Sequence, residues 1–383
     1  MPLYLAGRKA ESGEFKKLLD QKIILQNLVL TGLRGVGKTV LLETFKPMAI
    51  EGGWLWVGTD LSESASVSED SLAIRILTDL SVVTSAYSIS VDDSEKLGFV
   101  KGSKKRQQPM GYALLHDVYV STPGLIADKI KGVLEFVWQQ LPKVGRRGII
   151  FAYDEAQNLS DRAENEQFPL SMLLDVFQSI QRKNIPFMLA LTGLPTLFPK
   201  LVQARTYAER MFHVVTLKPL DEEDSRDAML QPIKDSDCPV AFTDQAVGTI
   251  YKISGGYPYF IQFICRECYD IWMLNPKVTV PVDEMVRKLD TDFFAGRWAR
   301  ATDRERDLLS IVSGLPNCDA EFTVQEIVTR AKKELDKPFS NSHVNQLLNS
   351  LIEAGLVYRN RYGKYSFAVP LLGQFIRRQV GEI

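Results

Sequence analysis

Eight consecutive residues near the start of this 383-residue chain carry the clearest chemistry: Gly32-Leu33-Arg34-Gly35-Val36-Gly37-Lys38-Thr39. The spacing fits G-x-x-x-x-G-K-[ST], a loop that cradles phosphates. Its glycines let the backbone turn tightly and aim N–H groups inward. The dipole of a following helix adds to their pull on a run of phosphates. Lys38 can reach the β- and γ-phosphates, and the Thr39 hydroxyl can bind Mg²⁺. Such a loop needs a buried strand before it and a helix after it. Asn27 to Thr31 reads as the strand, and Val40 to Lys46 as the helix. A glycine-rich turn before an ordinary helix is the plain alternative, and it leaves that context unexplained.

A second stretch, Ile149-Ile150-Phe151-Ala152-Tyr153-Asp154-Glu155, is an apolar run ending in two acids. A buried parallel strand with a metal-binding tip has this form. Asp154 can hold the metal that bridges β- and γ-phosphates. Glu155, one residue on, points differently and can polarise an attacking water. Thr192 ends another apolar run, Phe187 to Thr192, and can hold that water or a γ-phosphate; as a polar strand tip it can equally be a helix N-cap. Arg205 and Arg210 flank Tyr207. An arginine there can serve a neighbouring subunit's nucleotide, worth about 10³–10⁵ in rate, or sit on the surface of an amphipathic helix. Cys265 and Cys268 form C-x-x-C without the second ligand pair that zinc requires, so they read as ordinary thiols. His116, His213 and His343 are too scattered for a metal site.

The elements between these residues alternate. Strands are expected at 27–31, 54–57, 149–153, 187–192 and 214–217, with helices between them, one of them from about Leu197 to Met211. That alternation implies an α/β fold with a parallel sheet covered on both faces. Ligands bind at the carboxyl ends of such strands, where Gly32, Asp154 and Thr192 all fall. The stretch from about 82 to 122 is the least regular and reads as an insertion, partly loop, carrying the basic cluster Lys101 to Arg106. That cluster is either a solvated surface or a contact for nucleic acid or an acidic partner. After Pro219 the pattern becomes helical, at about 243–253, 258–274 and 282–294. Three further helices and a hairpin follow from about Thr302, which reads as a winged helix. The domains are therefore 1–219, 220–300 and 301–383.

Composition is that of an ordinary globular protein, 45% hydrophobic and 24% charged. The formal net charge of −1 gives no global attraction to nucleic acid. No apolar run reaches the length of about 18 residues a membrane span needs. The N-terminus lacks a secretory pattern and the four cysteines do not form a disulfide framework, so a cytoplasmic location is expected.

In order and type these pieces resemble the AAA+ ATPases, in the branch of origin-recognition-like initiators and STAND-type signalling ATPases. The resemblance rests on Gly7-Arg8 with Glu11, the phosphate loop at 32–39, Asp154-Glu155, Thr192 as sensor 1, and Arg210 within Glu209 to Phe212. It implies a five-stranded sheet in the order 5-1-4-3-2, a helical lid and a C-terminal winged helix. It also implies ATP and Mg²⁺, and a homo-oligomer with nucleotide at subunit junctions. Gly32 to Val40 would then contact the nucleotide, and the segment with Arg8 would lie against adenine. One departure is that Gly255-Gly256-Tyr257-Pro258-Tyr259 carries no sensor 2 arginine. It looks instead like a glycine-x-proline element, with Pro258 near the base. That leaves Arg210 as the expected cation.

The C-terminal unit leaves its partner open. On Ser340 to Asn349 the residues Asn341, Ser342, Asn345, Gln346 and Asn349 share the exposed side expected of a helix. Asn and Gln can read adenine edges. Yet that helix has no Lys or Arg, and residues 303–383 hold 11 basic against 10 acidic residues. Strong duplex binders are more basic. Double-stranded DNA and a protein surface both fit.

Overall fold

A computed structural model describes residues 4–92, 105–236, 238, 241–274, 281–361 and 363–381. The basic cluster expected at 101–106 lies outside what is described, save for the backbone of its last two residues. Compactness divides the chain into two units. One comprises 10–31 and 38–216; the other comprises 1–9, 32–37 and 217–383.

The first unit is built on β1 (Asn27–Thr31), β2 (Trp54–Val57), β5 (Gly148–Tyr153), β6 (Phe187–Gly193) and β7 (Phe212–Thr216). They form one parallel sheet in the order β2-β5-β6-β1-β7. Numbered by appearance and read from the other edge, this is the expected 5-1-4-3-2. β1, β2, β5 and β6 are buried throughout, which is why they read as continuous apolar runs. Around them lie α1 (Lys9–Leu19), α2 (Lys38–Glu51), α3 (Glu69–Thr84), α4 (Tyr112–Ser121), α5 (Ile126–Gln140), α6 (Pro169–Arg182), α7 (Leu197–Ala204) and α8 (Ala208–Met211). One core joins sheet and helices, with Phe151, Phe177 and Phe187 completely buried.

Asn27 sets the register of the central strands. Its Nδ2 donates to the Met211 carbonyl at 3.2 Å, and its Oδ1 accepts from Leu189 N at 2.8 Å and Gln181 Nε2 at 2.9 Å. A buried amide with its groups paired fixes one alignment. In that alignment Leu30 lies beside Thr192 and Thr31 beside Gly193, so the carboxyl ends of β1 and β6 finish together.

One expectation for this unit is refined and one needs correction. Where the 82–122 stretch is described it holds regular elements: α3 runs to Thr84, β3 (Ser88–Asp92) pairs antiparallel with β4 (Lys105–Pro109), and α4 follows. The hairpin strands are mostly polar, and α4 is apolar on more than one face with only Leu115 buried, so neither shows a clean period. The helix expected from Leu197 to Met211 is two helices, because Arg205 adopts extended backbone at the end of α7.

The second unit contains α9 (Glu222–Asp235), α10 (Asp244–Ser254), α11 (Pro258–Leu274), α12 (Val282–Leu289) and the short α13 (Gly296–Trp298). Then come α14 (Asp303–Ser313), α15 (Val324–Glu334), α16 (Asn341–Glu353), the hairpin β8 (Val357–Arg361) and β9 (Lys364–Phe367), and α17 (Leu372–Val380). Thr302 and Thr323 close capping boxes with Glu305 and Glu326, which fixes where α14 and α15 begin. Val344, Leu348 and Leu351 turn the inner face of α16 into a core with Phe322, Phe339 and Phe375. The exposed residues of α16 include Asn341, Ser342, Asn345, Gln346 and Asn349, as their spacing indicates. α17, whose apolar side buries Phe375 and Ile376, did not stand out in the sequence.

Candidate nucleotide-binding site

In the second unit, residues 32–37 form the phosphate loop. Gly35 and Gly37 have φ of 78° and 94°, a region that favours glycine. Space matters too: a Cβ on Gly35 would lie 3.0 Å from Tyr259 Cβ, and one on Gly37 would lie 3.9 Å from Pro258 Cγ. Pro258 opens α11, a position that proline suits. Tyr259, next along, donates its N–H to the Gly35 carbonyl at 3.1 Å. The glycine-rich turn before α11 is thus seated on the phosphate loop. Pro258 faces the loop's last glycine.

Arg8 is buried, and its Nη2 donates to the Val36 carbonyl at 3.0 Å and the Lys218 carbonyl at 2.8 Å. Carbonyls that point away from a phosphate cradle need partners elsewhere. Arg8 supplies one, which orients the loop. Arg34 is exposed, and its guanidinium lies beside Gly355, where a Cβ would be 3.4 Å from Nη2. Gly355 follows the end of α16, the negative end of that helix. Leu33 is half-buried and Val36 and Gly32 are buried. Nearby in charge is Arg297 of α13, whose guanidinium sits 4.2 Å from the centre of the Phe293 ring. Burial lowers its pKa, and the charge of Arg34 adds to that.

In the first unit, α2 begins at Lys38, which is buried; Thr39 and the half-buried Val40 follow. The Thr39 hydroxyl donates to Asp154 Oδ2. Asp154 is 4% exposed, just past β5. Its Oδ1 accepts from the Thr192 hydroxyl, and also from Glu155 N at 2.7 Å. Thr192 therefore spends its hydroxyl on Asp154; the N-cap of α7 is Thr196. One carboxylate joins the ends of β5 and β6 to the first turn of α2. Its hard oxygens suit Mg²⁺, which takes one or two protein oxygens and otherwise water and phosphate. Among the described residues no cluster of three or more His, Cys, Asp or Glu offers an all-protein metal cage.

Glu155 is exposed and takes φ 51°, ψ 33°, a left-handed conformation uncommon outside glycine. Gln157 Nε2 donates to its Oε2. Gln157 was not singled out in the sequence, where the i,i+2 spacing gave no cue.

The expected arginines separate. Arg205 is engaged within its own chain: Nη2 and Nε donate to the Asp175 carboxylate at 2.7 and 2.9 Å, and Tyr207 donates to the same group. These bonds hold the Asp175 carboxyl below its usual range despite burial. Arg210 is exposed on α8, next to Phe212, which pairs with Asn27. That is the amino end of the strands. Arg210 therefore does not join Asp154, Glu155 or Thr192, which sit at the carboxyl ends. Cys265 and Cys268 on α11 are partly to fully buried, and burial pushes their thiols up to about 12 and about 11. They are unreactive packing residues.

Comparison with known proteins fits this geometry. The Walker-type ATPase of Pyrococcus abyssi matches with a TM-score of 0.62 at 16% identity, over 97% of this chain and 96% of that one. The ORC2 protein of Aeropyrum pernix, solved in ADPNP–ADP complexes, gives 0.56 at 13%, over 100% and 96%. Cdc6p of Pyrobaculum aerophilum gives 0.50 at 16%, over 100% and 96%. The chain has the fold of the ORC- and Cdc6-like AAA+ ATPases. A model described as a domain of unknown function, DUF8462, matches residues 291–376, the stretch from just after α12 into α17. No curated protein matches. Among the described residues no helix is long and apolar enough to cross a membrane.

Proposed function

We propose that this chain is an ATP-binding and ATP-hydrolysing molecular switch of the AAA+ type. In this reading Gly32 to Val40 hold the nucleotide, with Arg8 bracing the loop and Pro258 closing over it. Lys38 meets the β- and γ-phosphates, and Thr39 with Asp154 holds Mg²⁺. Bound there, the metal would neutralise charge developing on the phosphates. Glu155 is the general base for water, Thr192 keeps Asp154 in place, and Arg210 is offered to a neighbouring subunit's nucleotide. The observation that carries the reading is the Asp154 carboxylate, bonded by both the Thr39 and Thr192 hydroxyls. The switch would act through a lid at 220–300 and a winged-helix domain at 301–383. The contact of Arg34 with Gly355 supports that link, because it joins the loop to the end of α16.

The test is ATP turnover, followed by phosphate release, in wild type beside Glu155→Gln. Equal rates would sink the catalytic assignment. Lys38→Ala should lose nucleotide binding in calorimetry; retained affinity would count against the loop.

A second reading has an observation of its own. The exposed face of α16 carries no Lys or Arg, and its one charge, Glu353, is negative, which suits a protein surface better than a phosphate backbone. There the chain is a signalling or defence scaffold in which ATP chiefly stabilises an oligomer. Size-exclusion with light scattering, with and without ATP and duplex DNA, separates the two. Turnover stimulated by DNA favours the DNA-linked switch; ATP-driven growth with slow turnover favours the scaffold.

A further inference from the structure

Glu155 has an unusual setting for an exposed acid. A free glutamate side chain samples many rotamers, and freezing it costs conformational entropy. Its left-handed backbone costs more, and such strain persists only where the surroundings fix it. The backbone is held by Glu155 N–H on Asp154 Oδ1 at 2.7 Å and by Asn158 N–H on the Glu155 carbonyl at 3.0 Å, and the side chain is held by Gln157. The amide Nε2 of Gln157 donates to Glu155 Oε2.

Gln157 is itself held from the other side. Its Oε1 accepts from Leu194 N at 3.1 Å, just past β6. Its main-chain carbonyl accepts from Lys200 Nζ at 2.6 Å, on α7. Gly193 leaves room for this, since a Cβ there would lie 2.6 Å from Gln157 Oε1. An amide has both a donor and an acceptor end. Gln157 uses one on the acid and the other on the strand that carries Thr192. No other side chain in the 156–158 turn makes that bridge: Asn158 turns away to the Leu61 carbonyl at 2.9 Å.

We propose that Gln157 is the positioning residue for Glu155, tying its carboxylate to the end of β6 and to α7, so that movement of α7 sets whether the acid is aimed. This rests on the reading of Glu155 as general base. α7 leads through Arg205 into α8 and Arg210, the surface offered to a neighbouring subunit. Assembly therefore has a short covalent and hydrogen-bonded route to the acid of the same chain.

The experiment compares wild type with Gln157→Ala, Gln157→Glu and Gly193→Ala. Gln157→Ala should lower kcat about tenfold and leave KM and ATP affinity unchanged, because only the aim of the base is lost. Gln157→Glu places a second carboxylate against Glu155 with no amide hydrogen to donate, so it should lower kcat at least as far as Gln157→Ala. Gly193→Ala, which crowds Gln157 Oε1 while leaving both residues of the pair chemically intact, should repeat the Ala phenotype. Hydrogen exchange at the Leu194 amide should quicken in Gln157→Ala whether or not the protein turns over ATP. Unchanged kcat in Gln157→Ala with faster Leu194 exchange would overturn the positioning role. Unchanged Leu194 exchange would overturn the bridge itself. A wild type that binds ATP without turnover would instead sink the reading of Glu155, and the exchange result would still stand.

Discussion

The carboxyl ends of β5 and β6 and the outer face of α16 are both polar, and they differ in where their partners are. At the strand ends the acids are answered within the chain: Asp154 by Thr39, Thr192 and the Glu155 N–H, and Glu155 by Gln157. Asp154 and Thr192 are buried, so their bonds are protected from water and any loss is felt in full. On α16, Asn341, Ser342, Gln346 and Asn349 face solvent, and Asn345 only reaches back to the Asn341 carbonyl at 2.9 Å. A polar face left to water stabilises nothing by itself and is free to meet another molecule. One polar region is therefore fixed within the chain and the other is left open.

The comparison breaks first, if it breaks, at the strand ends. Glu155→Gln should cut turnover by at least about 100-fold, the usual worth of a general base, with ATP affinity kept in calorimetry. A loss of affinity as large as the loss of rate would mean that the acid binds nucleotide and does not act on water. Thr192→Val comes next. It keeps the shape of the strand end and removes one donor from the buried Asp154 Oδ1, so urea denaturation should show a loss of about 1–3 kcal/mol. On α16 the joint change Asn345→Ala and Gln346→Ala should leave stability within about 0.5 kcal/mol and basal turnover unchanged. If it weakens duplex DNA binding only for particular sequences, α16 reads bases; if it weakens ATP-dependent assembly, α16 meets protein.

The same contrast explains what could be read from the sequence. The strands of the sheet were legible, because a strand buried on both faces must be largely apolar along its length, as β1, β5 and β6 are; their order came only with the resemblance to the AAA+ ATPases. The two acids and the glycine loop were legible because their spacing is dictated by phosphates and metal. Asn341 to Asn349 could be placed on one face because α16 follows a helical period. The rest depended on contacts between distant residues. Nothing in the sequence brings Gln157 to Leu194, Arg8 to the Val36 carbonyl, or Tyr259 to Gly35. The split between α7 and α8 is set by the hold of Asp175 on Arg205 and Tyr207, a tertiary cause that no local propensity records. α4 and the hairpin before it lack a clear period, so that stretch reads in the sequence only as an insertion, partly loop.

The smallest expected effect asks how far the fixed region extends. Lys200 sits on α7 with its Nζ on the Gln157 carbonyl. Burial lowers its pKa from 10.5 to about 8; Asp161 opposes that shift and Arg162 adds to it. A lysine whose folded pKa lies below its unfolded value binds fewer protons when folded. Folding stability must then rise as pH climbs from about 8 towards 10.5, and this group contributes no slope below that window. Tyr207 works the other way, since burial and Asp175 raise its hydroxyl above its usual 10.0. The net curve therefore mixes signs. The difference between wild type and Lys200→Met isolates the lysine: from pH 8 to pH 10 wild type should gain about 1–2 kcal/mol relative to the variant in urea midpoints. A flat difference would mean that Lys200 is solvated and that α7 is not locked to the acid. A rise of that size would place the cation within the same buried network as Asp154 and extend the fixed region from the strand ends to α7.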